Sequence, residues 1–211
     1  MLHCKKLTCV HEDRIIFNDL SFTVAPGAIV QVEGANGAGK TSLFRLLVGL
    51  ASPSAGAVFW QGKAISTVRD SFHQQLLYIG HKTAVKAELT ALENLQFFQK
   101  MQVSHGELNL WDILAKVGLA GYEDITTSQL SAGQQRRVAL ARLWLNNCPL
   151  WVLDEPFAAL DKLGIAVLER LFIKHAQAGG MVLLTTHQDL TIDCSLLSKI
   201  VLTDAAGNSY V

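Results

Sequence analysis

Residues 29–50 read IVQVEGANGAGKTSLFRLLVGL, and this stretch decides the fold class of the chain. Residues 34–41 fit the pattern G-x-x-x-x-G-K-[ST] in full. An apolar, strand-like segment precedes the pattern, and an amphipathic, helix-like segment with four leucines on one predicted face follows it (Leu43, Leu46, Leu47 and Leu50). This order predicts a phosphate-binding loop rather than a glycine-rich turn that contains a lysine by chance.

The predicted loop has the chemistry of a nucleotide site. Its glycines permit backbone conformations in which successive N–H groups turn towards an anion at the start of the following helix. Lys40 is expected to reach the β- and γ-phosphates, and the Thr41 hydroxyl to bind Mg²⁺, while Ser42 lies nearer the α-phosphate. The predicted nucleotide-binding residues of this loop are Gly34, Ala35, Asn36, Gly37, Ala38, Gly39, Lys40, Thr41 and Ser42.

Composition limits the classes of function that fit. The chain has 211 residues, enough for one α/β domain with an inserted subdomain, and its 18 basic residues balance its 18 acidic ones. The absence of a basic run argues against a nucleic-acid partner. No apolar stretch approaches the roughly 20 residues of a membrane span, and no signal peptide is recognised. We therefore expect a cytosolic chain with free cysteine thiols and no cysteine-type metal site.

The pattern along the chain predicts an antiparallel edge followed by a parallel core. Residues 7–24 read as two short strands around a polar turn at 11–14. Further strands are expected at 57–60 and 75–80, helices between 90 and 117 on either side of a polar break at 104–107, a long helix at 163–177, and a closing hairpin from Ile200 to a turn at 207–208.

A second anion site is suggested at residues 130–137, LSAGQQRR, which lead into an apolar helix. The residues expected at its N-terminus are Ser131, Ala132, Gly133 and Gln134. Unpaired N–H groups at a helix N-terminus attract anions. An ordinary N-cap serine explains the same residues, and from these residues alone it is the preferred interpretation.

Two apolar strands end in groups that can act on a phosphate ester. The strand at 149–154 ends in Asp154 and is followed by Glu155; Asp154 would hold Mg²⁺ through water, and Glu155 would take a proton from the attacking water. The strand at 181–186 is followed by His187, which could contact the γ-phosphate or that water. The alternatives are a polar turn and a solvated loop histidine.

Taken together, these segments resemble the nucleotide-binding domain of ATP-binding-cassette (ABC) proteins over essentially the whole chain. The matching motifs are Walker A at 34–41, the signature LSAGQ at 130–134, Walker B at 150–154 with Glu155, a D-loop at 158–161 and a switch histidine at His187. The signature is the most specific of them.

The resemblance implies an α/β P-loop NTPase core with a mainly parallel sheet, an antiparallel N-terminal β subdomain and an inserted α-helical subdomain. It places the core at 1–80 and 134–211 of a single domain and the helical subdomain at 81–133. It also implies a head-to-tail homodimer in which Ser131 and Gly133 contact the ATP held by the other subunit.

Two positions depart from the family pattern. His81 stands where the family usually has a glutamine that touches Mg²⁺. The tip near His11, where an aromatic residue that stacks on adenine is expected, has none apart from the histidine itself. The role of His81 and the contact to adenine are therefore left open, although an imidazole can still coordinate or donate a hydrogen bond.

Further segments resemble one subgroup, the ATPases of bacterial cytochrome c maturation: WQG at 60–62, VRDSFHQ at 68–74, IGH at 79–81 and LTALENL at 89–95. The subgroup implies an ATP- and Mg²⁺-dependent translocase subunit on the cytoplasmic face of the bacterial inner membrane, joined to a multi-span permease and a wider maturation complex. It would drive haem export or release of a haem-loaded periplasmic chaperone. The alternatives are an ABC transporter for another substrate and a soluble, non-transport ABC ATPase; a P-loop kinase or GTPase does not explain the signature.

Overall fold

The computed structural model describes residues 1–101, 108–158, 160–188, 190–192 and 195–202, which form two β-sheets and six α-helices. In chain order the elements are β1 (Leu2–His11), β2 (Arg14–Val24), β3 (Ile29–Gly34), α1 (Lys40–Leu47), β4 (Ala55–Trp60), β5 (Lys63–Ala64), α2 (Arg69–His73), β6 (Leu76–Ile79), α3 (Ala91–Met101), α4 (Leu110–Lys116), α5 (Ala132–Leu145), β7 (Leu150–Asp154), α6 (Lys162–Gln177), β8 (Met181–Thr185) and β9 (Leu197–Leu202).

The two sheets differ in strand direction. The first is antiparallel, in the order β2-β1-β4-β5, and the second is parallel, in the order β6-β7-β8-β3-β9. An antiparallel edge followed by a parallel core is therefore confirmed. Strand β9 pairs in parallel with β3 and is the edge strand of this sheet, whereas the second arm of the predicted closing hairpin is outside the described residues, so the hairpin stays a prediction. The predicted turn at 207–208 lies outside the described residues.

The parallel sheet is covered on both faces. Strands β7 and β8 are buried at every position, which is typical of parallel strands between layers. On one face, residues of α1 and of the antiparallel sheet pack with Val30 and Val152. On the other, residues of α5 and α6 pack with Ile29 and Leu153. The carboxyl ends of β3, β7 and β8 consequently meet at one protected edge.

One of the four leucines predicted on a single face of the first helix lies outside helix α1. Leu43, Leu46 and Leu47 are buried as predicted, but the helix ends at Leu47 and Leu50 is 54% exposed. Gly49 takes a φ of +71°, and the Leu50 N–H bonds back to the Arg45 carbonyl. This is the left-handed end that stops a helix, so a fourth leucine at helical spacing does not reach the buried face.

Helices α3 and α4 pack against α5 around a separate apolar cluster that includes Leu95, Leu114 and Val138. The helical region expected between 90 and 117 is confirmed, and the predicted polar break at 104–107 lies outside the described residues. Helix α5 begins at Ala132, so it runs across the predicted subdomain boundary at 133. The division into 1–80, 81–133 and 134–211 stays a prediction.

Among the described residues, no helix combines the length and the apolar character that a membrane crossing needs. Cys4, Cys9 and Cys148 are free thiols, whereas Cys194 lies outside the described residues. Burial raises the pKa of the Cys4 thiol above its ordinary value, so this thiol stays protonated in the core.

Candidate active site

The phosphate loop joins β3 to α1, and its geometry depends on Gly39. This residue caps α1 with a φ of +95°, a conformation that disfavours side chains. A Cβ at Gly39 would also collide with the Ile16 side chain. The position therefore requires glycine for two independent reasons, its backbone angle and the approach of β2.

Lys40 lies across the loop that precedes it. Its ammonium donates to the Gly34 carbonyl at 2.6 Å and to the Ala35 carbonyl at 3.1 Å. These bonds hold a positive charge inside the loop, beside the N-terminus of α1, where the helix dipole also favours an anion. The arrangement suits a polyphosphate.

One cavity brings most of the predicted residues together at the carboxyl edge of the parallel sheet. Its lining consists of Ile16, Asn36, Gly37, Gly39, Lys40, Thr41, Ser42, His81, Asp154, Glu155 and His187. Gly34 lines an adjoining cavity with Lys40 and His187, and Ala38, within the loop, is buried. The predicted residues Ser131, Ala132, Gly133 and Gln134 do not line either cavity.

The two predicted metal ligands face each other. The Thr41 hydroxyl donates to Asp154 Oδ2 at 3.0 Å, so the two oxygens could flank one small cation. No group of three or more His, Cys, Asp or Glu side chains in the described part of the chain is placed to hold a metal ion. A hydroxyl and one carboxylate fit Mg²⁺, which binds through few protein oxygens together with phosphate oxygens and water.

Glu155 follows β7 in an unusual conformation. Its φ is +51°, which places it in the left-handed region. Its N–H donates to Thr185 Oγ1 at 2.9 Å, and its carboxylate Oε1 lies 3.6 Å from His187 Nε2. Both predicted catalytic side chains therefore reach one cavity, next to Asp154, which accepts a 2.8 Å hydrogen bond from the same Thr185 hydroxyl.

Arg136 on α5 contacts the backbone of this edge. It is 6% exposed, and its guanidinium donates to the carbonyl of Gly80 at 2.6 Å, to that of Asp154, and to that of Glu155 at 3.2 Å. Burial lowers the pKa of Arg136 from its ordinary value, while the charges of Asp154 and Glu155 oppose that shift.

Sequence reasoning missed Arg136, Thr185 and Ile16. Thr185 carried only the signal of a hydroxyl at the end of an apolar strand, and its partners Asp154 and Glu155 lie on another strand. Arg136 carried none, since an arginine next to a second arginine on a helix usually faces solvent. Ile16 lines the cavity, whereas His11 does not, so the contact to adenine stays open.

The signature residues form a capped helix start. Ser131 Oγ accepts from the Gln134 N–H at 3.3 Å, and Gln134 Oε1 accepts from the Ser131 N–H at 2.9 Å. This reciprocal pair is a capping box, so the N-cap interpretation of Ser131 is confirmed. The first-turn N–H groups of Ala132 and Gly133 point beyond the helix end, as in any α-helix. Their contact with an anion stays a prediction.

The predicted D-loop leads into α6. Asp161 caps this helix by accepting from the Gly164 N–H at 2.9 Å, and its carboxylate lies 4.0 Å from Arg137. Ala159 lies outside the described residues. His81, the residue in place of a glutamine, lines the same cavity as Thr41 and Asp154, and its role stays open.

Comparison with known proteins gives the relatives of this chain. The family model described as "ABC transporter" matches residues 17–158. The "Cytochrome c biogenesis ATP-binding export protein CcmA" of Aliivibrio fischeri is 55% identical, over 95% of this chain and 98% of that protein. The protein of the same name from Vibrio cholerae is 54% identical, over 97% of this chain and 99% of that protein.

Solved structures agree on the fold. An ATP-binding subunit of an ABC transporter superimposes with a TM-score of 0.88 at 25% identity, over 100% of this chain and 90% of that one. A dimeric ATP-binding cassette in a post-hydrolysis state, bound to ADP and Pi, gives 0.79 at 22% identity, over 100% and 98%. The chain belongs to the ABC transporter family, in the group of the cytochrome c biogenesis ATP-binding export proteins.

Proposed function

We propose that this chain is the ATP-hydrolysing, energy-coupling subunit of an ABC export system required for c-type cytochrome biogenesis. The observation that carries the proposal is the convergence of Lys40, the Thr41–Asp154 pair and the Glu155–His187 pair at one sheet edge. Relatives named for cytochrome c biogenesis, which match nearly the whole chain at 54–55% identity, support the biological process.

The substrate ATP would lie with its phosphates in the loop at 34–42. Lys40 neutralises charge on the β- and γ-phosphates, and the N–H groups at the start of α1 bind phosphate oxygens. Thr41 and Asp154 would hold Mg²⁺, which supplies charge neutralisation on the phosphates when bound. Four residues of the signature would reach the ATP of a second subunit, namely Ser131, Ala132, Gly133 and Gln134.

Hydrolysis requires a water molecule in line with the γ-phosphate. Glu155 Oε1 accepts the proton of this water as the oxygen attacks phosphorus, and the bond from the γ-phosphorus to the bridging oxygen of ADP breaks. His187, 3.6 Å from the same carboxylate oxygen, orients the water and donates to a γ-phosphate oxygen. Loss of one such transition-state contact typically costs about 10²–10³ in rate.

We further propose the assembly and the location. Two copies pair head to tail, so that Ser131 and Gly133 of one copy cap the ATP of the other. The dimeric state of a cassette with the same fold supports the pairing of two copies. A multi-span permease binds the dimer at the cytoplasmic face of the inner membrane, within a wider cytochrome c maturation complex. The cycle drives haem export or release of the haem-loaded periplasmic chaperone.

The test uses cells whose only copy of the protein carries Lys40→Ala. We expect covalent haem in c-type cytochromes to be lost, while an immunoblot shows that apocytochrome polypeptide is still made. Lys63→Ala is the matched control, because Lys63 is an exposed lysine on β5 and does not line the site. Normal haem attachment in the Lys40→Ala cells would exclude the cytochrome c role and leave the ABC family assignment intact.

A further inference from the structure

Arg136 links helix α5 to the backbone that carries the candidate general base. We propose that Arg136 is a positioning residue, which holds Glu155 in the backbone conformation from which its carboxylate faces the attacking water. The inference rests on the proposed role of Glu155 in ATP hydrolysis and extends it to a residue that touches neither phosphate loop nor cavity.

The guanidinium of Arg136 contacts three carbonyl groups from two strand ends. Nη1 donates to Gly80, directly after β6, and Nη2 donates to Asp154 and Glu155, at the end of β7. A guanidinium is planar and offers five N–H donors in fixed directions, so one side chain can bind several carbonyls at once. The contact therefore fixes the relative positions of the two strand ends.

The backbone at Glu155 needs such support. A left-handed φ of +51° is unfavourable for a residue with a side chain, because its Cβ approaches the backbone carbonyl oxygen. The N–H of Glu155 is bound by Thr185 and its carbonyl by Arg136, so the peptide groups on both sides of its Cα are held. Together these bonds fix φ and ψ, and with them the direction of the side chain towards His187.

The chemistry of the residue argues against a purely structural role. Arg136 Nε is buried and has no hydrogen-bond partner in the described part of the chain. An unpaired buried donor destabilises the folded chain, so packing of a helix against a sheet does not by itself favour an arginine here. What an arginine provides here, and an apolar residue does not, is the fork of donors on the carbonyls of residues 154 and 155.

Helix α5 connects Arg136 to the signature residues. Arg136 lies in the second turn of the helix that Ser131 caps, so the signature residues and the anchor of Glu155 belong to one rigid element. The position of α5 thereby determines the position of the Glu155 carbonyl. A displacement of this helix would move the candidate base.

The experiment compares Arg136→Lys and Arg136→Gln in the full-length chain, with Arg142→Gln as the matched control. Arg142 is a partly buried arginine on the same helix, but its guanidinium lies 4.2 Å above the Phe98 ring, away from the site. We expect Arg136→Gln to lower kcat about 10–100-fold and to change the Kd for ATP less than about twofold. The kcat of Arg136→Lys, which keeps the charge but has fewer donors, should lie between the kcat of the native chain and that of Arg136→Gln.

A double-mutant cycle separates positioning from general destabilisation. In a Glu155→Gln background, Arg136→Gln should have no further effect on the residual single-turnover rate, because it acts through the missing carboxylate. A further loss in that background would overturn the proposal, as would a kcat for Arg142→Gln as low as that for Arg136→Gln. A raised Mg²⁺ requirement at unchanged kcat would instead assign Arg136 to Asp154.

The same measurements show which hypothesis fails. Glu155→Gln alone should abolish nearly all turnover while ATP still binds. If it does and Arg136→Gln keeps normal turnover, the positioning role is wrong and the proposed hydrolysis mechanism stands. If Glu155→Gln keeps normal turnover, the role of Glu155 itself is wrong, and the inference about Arg136 falls with it.

Discussion

Replacing Thr185 with valine removes two hydrogen bonds from the candidate site and leaves the shape of the side chain almost unchanged. Thr185 is fully buried at the end of β8. Its hydroxyl donates to Asp154 Oδ1 at 2.8 Å and accepts from the Glu155 N–H at 2.9 Å. The Thr185 side chain thus binds both Asp154 and Glu155, which are consecutive residues at the end of β7.

The cost follows from what the substitution leaves unpaired. A buried polar group without its partner costs about 1–3 kcal/mol, so an unpaired carboxylate oxygen and an unpaired N–H together cost about 2–6 kcal/mol. For a chain of this length each kcal/mol lowers Tm by about 2–4 °C. We therefore expect Thr185→Val to lower Tm by at least about 4 °C and kcat by roughly 10–100-fold, since Glu155 loses a backbone restraint.

Thermal unfolding and steady-state ATP hydrolysis test this expectation, with Thr185→Ser as the matched control. Serine keeps the hydroxyl and loses one methyl group, at a cost of about 1 kcal/mol. The serine variant should therefore hydrolyse ATP nearly as fast as the native chain. If the valine variant is as stable and as active as the serine variant, the two hydrogen bonds do not hold the site, and the reasoning is refuted.

Two further predictions concern the scaffold. Gly56→Ala should reduce the free energy of unfolding by about 1–3 kcal/mol more than Gly62→Ala, because both glycines have φ above +80° but only at Gly56 would a Cβ collide with the Lys6 carbonyl; equal losses in urea titrations would contradict this. Burial lowers the pKa of His175, stacked 3.7 Å from Trp151, to about 4. In the unfolded chain this imidazole has its ordinary pKa of about 6.5, so between about pH 4 and pH 6.5 the unfolded chain binds more protons than the folded chain. The free energy of unfolding therefore falls as the pH drops through this range. His175→Phe should show a smaller fall, and an unchanged fall would exclude His175 as its source.

Local patterns predicted most of the fold because strands and helices leave periodic signals. The parallel core, the helices on either side of the polar break and the long helix before β8 were all recognisable in this way. The start of β1 at Leu2 was not, since register shifts between Cys4 and Cys9 break the alternation of buried and exposed positions. The pairing of β9 with β3 was missed because strand order depends on partners distant in sequence.

The residues of the candidate site also fall into two groups, those with a local signal in the sequence and those without one. Lys40, Thr41, Asp154 and Glu155 could be predicted because each occurs in a short pattern whose structural context is local. His187 was predicted through the resemblance to the ABC family. Arg136, Thr185 and Ile16 could not, because each acts on residues from another element. Arg136 reaches residues 18 and 19 positions further along the chain, and Thr185 reaches back across the sheet from β8 to β7.

The end of β7 shows why these unpredicted residues matter for function. Consecutive side chains on a strand point to opposite faces, so an extended Asp154–Glu155 pair would send one carboxylate away from the phosphates. The left-handed turn at Glu155 removes this alternation, and both side chains line one cavity. That conformation is unfavourable for glutamate, and Thr185 and Arg136 bind the N–H and the carbonyl that would otherwise allow it to relax. The motif supplies the two carboxylates, and residues outside the motif hold both of them at one cavity.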